Sequence, residues 1–351
     1  MEIDTKRRTI VITGASGWLG KRLTATLENS NDELLKNGFN IPKTIIPLAP
    51  LSDYNEKNKG NFRFVNLNDF ENLLRIMKLA KDGIVFHTAG VIHPKLRTKD
   101  FFEINYTGTI NVVKAAHQAG VKRIIVVSSN SPFGGNKNSN SKFDENSNYN
   151  PYMGYGKSKY LMEQFLLSFI KKNNDIEIVI IRPPWFYGPG QVERQSEFFN
   201  LVKNGLFPII GKGTNKRSMV FVDNLVNGMI RAAIVKKAAG KVYWMSDNKS
   251  YKMFEIIDTI RNIMQKEFNL NVSNKRIKLP NIISNFSRSL DKMIQGVGLY
   301  NQKIHIVSEL NMNIVCNNNL AKVELGYNPN IDLEEGMRLS IKEAIEKKFL
   351  K

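Results

Sequence analysis

A single cysteine, Cys316, stands in a chain of 351 residues. One thiol excludes an internal disulfide framework and any cysteine-based metal cluster. The four histidines, His87, His93, His117 and His305, are scattered at no ligand spacing, which argues against a structural metal site. No apolar run approaches the roughly 18–20 residues needed to span a bilayer. The run Thr9–Thr13 follows the basic Lys6-Arg7-Arg8 but is too short for a secretory segment and meets Gly14 and Gly17 at once. It reads as a buried strand, and the cytoplasm is the expected compartment. Acidic residues are scarce, with 32 Asp and Glu against 51 Lys and Arg and a net charge of +19. Such an excess attracts anions, whether phosphates, nucleic acid or an acidic membrane surface. The basic residues are dispersed, and no RNP, zinc-finger or basic-zipper pattern is present, so nucleic acid is not an expected partner.

What is present is an ordinary globular balance, 42% hydrophobic and 24% charged, long enough for one large domain or two coupled ones. Thr9–Thr13, Thr44–Leu48, Phe62–Val65, Gly83–His87, Arg123–Ser128 and Ile176–Ile181 are short β-branched runs. Helical patterns separate them, near Trp18–Leu27, Asp69–Lys78, Phe101–Ala119 and Tyr155–Lys172. That alternation predicts a parallel sheet covered on both faces, an α/β doubly wound fold. Ser131–Pro151 is rich in Asn, Ser and Gly and reads as a long surface loop. After Arg182-Pro183-Pro184 the texture is less regular, which places a boundary near 182. Residues 282–299 carry Ile282, Ile283, Phe286, Leu290, Met293, Ile294 and Val297 at helical spacing, interrupted by Arg288 and Lys292. The ordinary reading packs such a helix on its own domain. A basic amphipathic helix can also make peripheral contact with a membrane.

Three motifs carry chemistry. Thr13-Gly14-Ala-Ser-Gly17-Trp-Leu-Gly20 lies between a strand and a helix. A pyrophosphate must approach the amides of a helix N-terminus, and side chains would block it. Gly14 serves the tight turn, Gly17 the close approach and Gly20 the packing of helix on strand. Tyr155 and Lys159 stand four apart, hence on one helix face a turn apart. A tyrosine works as a base near neutrality only if its pKa falls by about 3 units, which an ammonium and an oxidised nicotinamide could supply. Val126-Val-Ser128-Ser129-Asn130 ends a strand, where hydroxyls of an open α/β sheet face the ligand crevice.

Together and in this order, these elements resemble the extended short-chain dehydrogenase/reductase family, from Thr9 to about Ile345. The resemblance includes His87-Thr-Ala-Gly90-Val91, Asn105-Tyr-Thr-Gly-Thr and Ile181-Arg-Pro-Pro-Trp-Phe-Tyr187-Gly188-Pro189-Gly190. It continues through Arg217-Ser-Met-Val-Phe-Val-Asp223-Asn-Leu225 and Leu325-Gly-Tyr327-x-Pro329. It implies a Rossmann-type NAD(P)-binding domain over 1–181. A smaller α/β region over 182–351 would mainly bind substrate and partly return to the sheet. The implied catalytic residues are Ser129, Tyr155, Lys159 and Asn105. Gly14, Ser16, Gly17, Trp18, Leu19, Gly20, Asn66, Leu67, Ala89, Gly90, Pro183 and the Tyr155–Lys159 pair are implied to hold the cofactor. Ser129, Tyr155 and Arg217 would touch substrate, and no metal is implied. A homodimer through the helices around Asn105–Gln118 and Tyr155–Lys171 is a further implication.

Two departures from the family pattern bear on the cofactor. The segment Ile45-Ile-Pro-Leu-Ala-Pro50 has no clear acidic residue for an adenosine ribose, with Asp53 only slightly later, and no arginine for a 2′-phosphate. NAD and NADP both stay open. Asn66 stands where an adenine-contacting Asp is usual.

Two substrate classes compete. Arg217, with Lys212 and Lys216, fits the place where nucleotide-sugar epimerases and dehydratases grip a diphosphate. Arg182-Pro-Pro and the helix after Leu279-Pro280 resemble the 3β-hydroxysteroid-dehydrogenase-like branch, which acts on apolar alcohols. A non-catalytic cofactor-binding scaffold is the third reading, and intact Ser129, Tyr155 and Lys159 argue against it. Asn130-Ser131 replaces the Asp-Glu pair of the dehydratases, which disfavours dehydration.

Overall fold

The computed structural model describes residues 2–350 apart from 7, 30, 36–38, 41 and 192. β1 (Thr9–Thr13), α1 (Trp18–Glu28), β2 (Thr44–Ala49), β3 (Arg63–Phe64), α2 (Phe70–Met77) and β4 (Ile84–His87) come first. A π-helical turn, Phe101–Gly108, runs straight into α3 (Thr109–Gln118). β5 (Arg123–Val127), α4 (Met153–Lys172) and β6 (Glu177–Arg182) follow. Beyond Arg182 lie β7 (Trp185–Tyr187), α5 (Glu193–Lys203), β8 (Ile209–Ile210), β9 (Lys216–Phe221), α6 (Val222–Ile234) and β10 (Val242–Trp244). Then come β11 (Ser250–Lys252), α7 (Met253–Lys266), β12 (Lys278–Leu279), α8 (Asn281–Gly296), α9 (Gln302–Glu309), α10 (Asn319–Leu325) and α11 (Leu333–Glu346).

The main sheet has seven strands in the order β3-β2-β1-β4-β5-β6-β10, and every pairing is parallel. Its central strands read as continuous apolar runs because alternate residues enter two different cores. Ile10, Ile12, Phe86, Ile125 and Ile181 join the core beneath α1 and α6. Val11, Val85, Ile124, Val126 and Ile180 join the core under α2, α3 and α4. Burying each such side chain contributes about 1.5–3 kcal/mol, so a sheet with one bare face would forfeit half of this set.

The remaining strands build a smaller sheet, β11-β9-β7, and a parallel pair, β12-β8. They enclose a third core that includes Phe199, Met219, Phe221, Ile260, Met337 and Ile341. α6 and β10 return to the main sheet, so the two parts share an apolar core. In the main sheet the strand order reverses between β1 and β4, and open sheets of this kind bind ligands in the crevice outside the carboxyl ends of the strands at such a point.

Two elements depart from their sequence patterns. The helix expected from Phe101 starts as a π-turn, which carries Asn105 inward to the main chain of Val91. α8 half-buries Ile283, Leu290 and Ile294 along one flank but does not turn its other apolar residues toward its own domain. It buries Ser284 and Asp291 and leaves Ile282, Phe286 and Met293 exposed. Polar contacts with α9 decide its orientation: Ser284 donates to Val307 O at 2.8 Å, and Asp291 Oδ2 lies 2.7 Å from His305 Nδ1.

Candidate active site

The glycine turn joins β1 to α1. Gly14 has φ +72°, and a Cβ there would fall 2.6 Å from the backbone of Ala89, so the turn can only be glycine. A Cβ on Gly20 would fall 2.1 Å from Gly14 O, which fixes how closely α1 sits on the loop. Gly17 is different: its missing Cβ would meet only Gly14 O, at 3.2 Å. The outer side of the turn is therefore bare beside the first-turn amides of Trp18, Leu19 and Gly20, which have no intrahelical acceptors. With the positive end of the helix dipole this makes a cradle that fits a dinucleotide diphosphate. The Trp18 side chain is engaged elsewhere: Nε1 donates to Pro189 O at 2.7 Å, and the ring packs on Phe186. Only its main chain is offered to a phosphate.

The structure supplies the acidic group that the strand pattern did not reveal. Ser16 Oγ donates to Asp53 Oδ2 at 2.6 Å, so the turn after β2 brings a carboxylate to the glycine loop. Asn66 uses its Oδ1 in a local turn, accepting from Asn68 N at 2.9 Å. Leu67 accepts from Asn111 Nδ2 at 2.9 Å and packs where a side chain on Gly108 would stand.

Across the crevice, β4 leads into Ala89 and Gly90. A Cβ on Gly90 would stand 3.3 Å from Asn105 Oδ1 and 3.5 Å from Lys159 Nζ, so a side chain here would fill the space above the lysine. Asn105 holds that loop in place. Its Oδ1 accepts from Val91 N at 2.8 Å, and its Nδ2 donates to Val91 O at 2.9 Å and to Ser158 Oγ at 3.1 Å. These bonds make it a positioning residue in this structure. His87, buried between Thr13 and Thr109, is pushed down to about 3 by burial and by the charge of Lys159, so it is neutral. Pro183 lies buried where β6 ends.

α4 carries the expected pair. Lys159 is buried, and its Nζ donates to Val127 O at 2.9 Å, one of the three donors an ammonium has. Burial lowers its pKa to about 8 against an opposing pull from Glu163. Ser129 acts on the Tyr155 phenol, while its Oγ lies 3.2 Å from Ser131 Oγ and accepts from Ser131 N at 3.2 Å; Ser128 donates to the buried Glu163. Glu163 also binds Arg182 and Tyr149, a structural network that absorbs the arginine of the Arg-Pro-Pro segment. The pKa of Tyr155 is not lowered. Burial pushes it up to about 12, Ser129 pulls it down and the charge of Glu309 adds to the rise. Lys159 is absent from these influences, so desolvation wins in the chain alone; the expected lowering draws on an ammonium together with an oxidised nicotinamide.

Glu309 belongs to α9, and no motif marked it. Its charge also acts on Arg217, whose buried guanidinium donates through Nη2 to the main-chain oxygen of Glu309. Arg217 Nε is buried and meets no acceptor among the described residues. A buried guanidinium with an unsatisfied donor suits a phosphate or carboxylate ligand. Among the described residues no group of three or more metal-ligating side chains occurs.

A bare glycine turn at the switch point, with a phenol, a serine and a lysine on the neighbouring strands and helix, defines an NAD(P)-dependent enzyme of the extended short-chain dehydrogenase/reductase type. The chain belongs to the NAD dependent epimerase/dehydratase family, whose profile matches residues 10–244. Over 336 residues it is 41% identical to the uncharacterized protein y4nL of Sinorhizobium fredii, covering 95% of this chain and 94% of that one. It is 29% identical to the UDP-glucose 4-epimerase of Vibrio cholerae, over 74% of this chain and 76% of the relative. In fold it is similar to the UDP-glucose 4-epimerase of Thermotoga maritima, crystallised with UDP-glucose. That likeness has a TM-score of 0.71 at 20% identity, over 97% of this chain and 99% of the other.

Proposed function

We propose that this enzyme uses NAD to oxidise a secondary hydroxyl of a sugar carried on a nucleotide diphosphate and, as an epimerase, restores the hydroxyl with the opposite configuration. Arg217 carries this reading: it is a buried cation with an unsatisfied donor, joined to Tyr155 through their common neighbour Glu309. An apolar alcohol would leave the buried Arg217 Nε without an acceptor, which is costly. The diphosphate of a nucleotide sugar supplies one. The preference for NAD rests on Asp53, whose carboxylate accepts from ribose hydroxyls and repels a 2′-phosphate.

In this mechanism Ser129 holds the substrate hydroxyl, and Tyr155, once ionised, takes its proton as hydride leaves the same carbon. The cofactor supplies the hydride acceptor, positively charged when oxidised, and in epimerisation the hydride returns, so no net redox change is seen. Tyr155 then gives the proton back to the re-formed alkoxide. Lys159 and Gly90 shape the floor of the crevice, and Asn105 keeps the β4 loop in place. In this reading residues 1–181 mainly hold the dinucleotide and 182–351 the substrate, and a dimer would form through α3 and α4. Isothermal titration with UDP-glucose, with NAD present, tests the reading: the wild type binds, and Arg217→Ala weakens binding by about tenfold or more. Absence of nucleotide-diphosphate binding by the wild type would sink it.

A further inference from the structure

A helix on a protein surface normally turns its apolar stripe inward. α8 instead turns polar residues fully inward, half-buries Ile283, Leu290 and Ile294 on one flank and leaves a second apolar stripe outside. Its buried residues are Ser284 and Asp291, and Gln295 on the same side donates to Asp291 at 2.9 Å. Arg288 also points inward, to Ser308 O at 3.3 Å and Asn311 Oδ1 at 3.1 Å. The opposite stripe is Ile282, Phe286, Met293 and Val297, exposed by 69, 68, 70 and 75%. At ~100° per residue these four fall within about 60° of arc. The row continues past the helix, where Leu299 and Leu96 are exposed and Tyr300 N donates to Leu96 O at 2.8 Å. Single exposed apolar residues are ordinary, but an aligned row is a binding surface.

Charge identifies the occupant. Between Leu270 and Ser308 the only acidic residue is Asp291, which is buried. Lys278, Lys292 and Lys303 are exposed in this stretch, and Lys95 and Arg97 flank Leu96. Two copies of this surface placed face to face would bring like charges together. An anionic bilayer instead pairs the cations with its headgroups and takes the apolar side chains below them. Among the described residues no helix is long and apolar enough to cross a membrane, so contact would be in the interface plane. We infer that the outer face of α8, with the loop around Leu96, docks the enzyme on an anionic lipid surface. The same hairpin touches the start of the catalytic helix from its inner side: Gly154 N donates to Gln295 Oε1 at 2.9 Å, and the Tyr152 hydroxyl lies 2.7 Å from Ser308 Oγ. Docking on α8 therefore holds the neighbourhood of Tyr155 close to the lipid. This inference stands on the surface and is independent of the substrate reading.

Co-sedimentation of the full chain with vesicles tests it. The wild type pellets with phosphatidylcholine vesicles containing phosphatidylglycerol, pellets much less with phosphatidylcholine alone, and is released by added salt. The combined change Phe286→Ser and Met293→Ser lowers partitioning by about tenfold or more. Val323→Ser, at an equally exposed apolar site on α10, leaves it unchanged. Melting temperatures stay near wild type in both variants, because none of these side chains is buried. The inference is overturned if the wild type stays in the supernatant with anionic vesicles, or if the double variant pellets as the wild type does. Equal pelleting with and without phosphatidylglycerol overturns the assignment to an anionic surface. Sedimentation velocity showing a dimer that the double variant loses, without vesicle binding, overturns it in favour of a second copy of the chain.

Discussion

Ser16 of the glycine turn and Asp53 beyond β2 are joined by a 2.6 Å hydrogen bond, which puts a carboxylate at the cofactor cradle. The expected consequence is preference for NADH over NADPH in fluorescence titrations. Asp53→Asn weakens NADH binding by about tenfold, the loss of a charge-assisted hydrogen bond worth roughly 1.5–3 kcal/mol, and narrows the preference. Equal affinity of the wild type for the two cofactors would refute this role.

In the proposed mechanism Tyr155 is the acid/base, so Tyr155→Phe lowers turnover by about 10²–10⁴-fold while NADH binding stays near wild type. The check is steady-state kinetics beside a cofactor titration, and undiminished turnover would remove Tyr155 from the chemistry.

The phenol's own titration is measurable as the alkaline absorbance difference between wild type and Tyr155→Phe. Without cofactor it lies near about 12, where burial puts it. Glu309 contributes to that rise, so Glu309→Gln moves the titration, and the ascending limb of the pH–rate profile, to lower pH. A shift to higher pH, or none, would show that Glu309 does not act on the phenol.

Lys159 costs the fold stability at neutral pH. Its pKa is about 8 in the folded chain against 10.5 ordinarily, because burial disfavours the charge. The folded chain binds fewer protons between those values, so its contribution to stability rises with pH across that window and is flat below it. Lys159→Met is expected to stabilise the fold at pH 7 by about 1–3 kcal/mol, less than the full shift because Val127 O loses its donor. Turnover falls. Denaturant unfolding at neutral and alkaline pH reads both the gain and its disappearance.

Much of the scaffold was legible because its signals are local. Thr9–Thr13, Ile84–His87 and Arg123–Val127 are runs whose alternate residues need two cores, and the sheet that meets this need is the one formed. The glycine turn and the Tyr155–Lys159 pair depend on neighbours within one turn of chain. The less legible parts involve partners far apart in sequence. Asp53 reaches Ser16 across 37 residues, and Glu309 reaches Arg217 across 92. No periodicity records such meetings. Asn105 shows a subtler limit: its place beside the crevice was implied, but the π-turn aims its amide at Val91.

By itself the order of residues determined the strands, the bare turn and the phenol one helical turn from a lysine, since backbone period and sterics set those spacings. Tertiary packing decided which charges face each other and which faces stay wet. The fall expected for the pKa of Tyr155 draws on an ammonium together with an oxidised nicotinamide. In the chain alone burial raised it, because desolvation depends on everything packed around a group. Packing likewise turned α8 with its polar side inward, because the Asp291–His305 contact needs the interior and the apolar stripe was left to face outward.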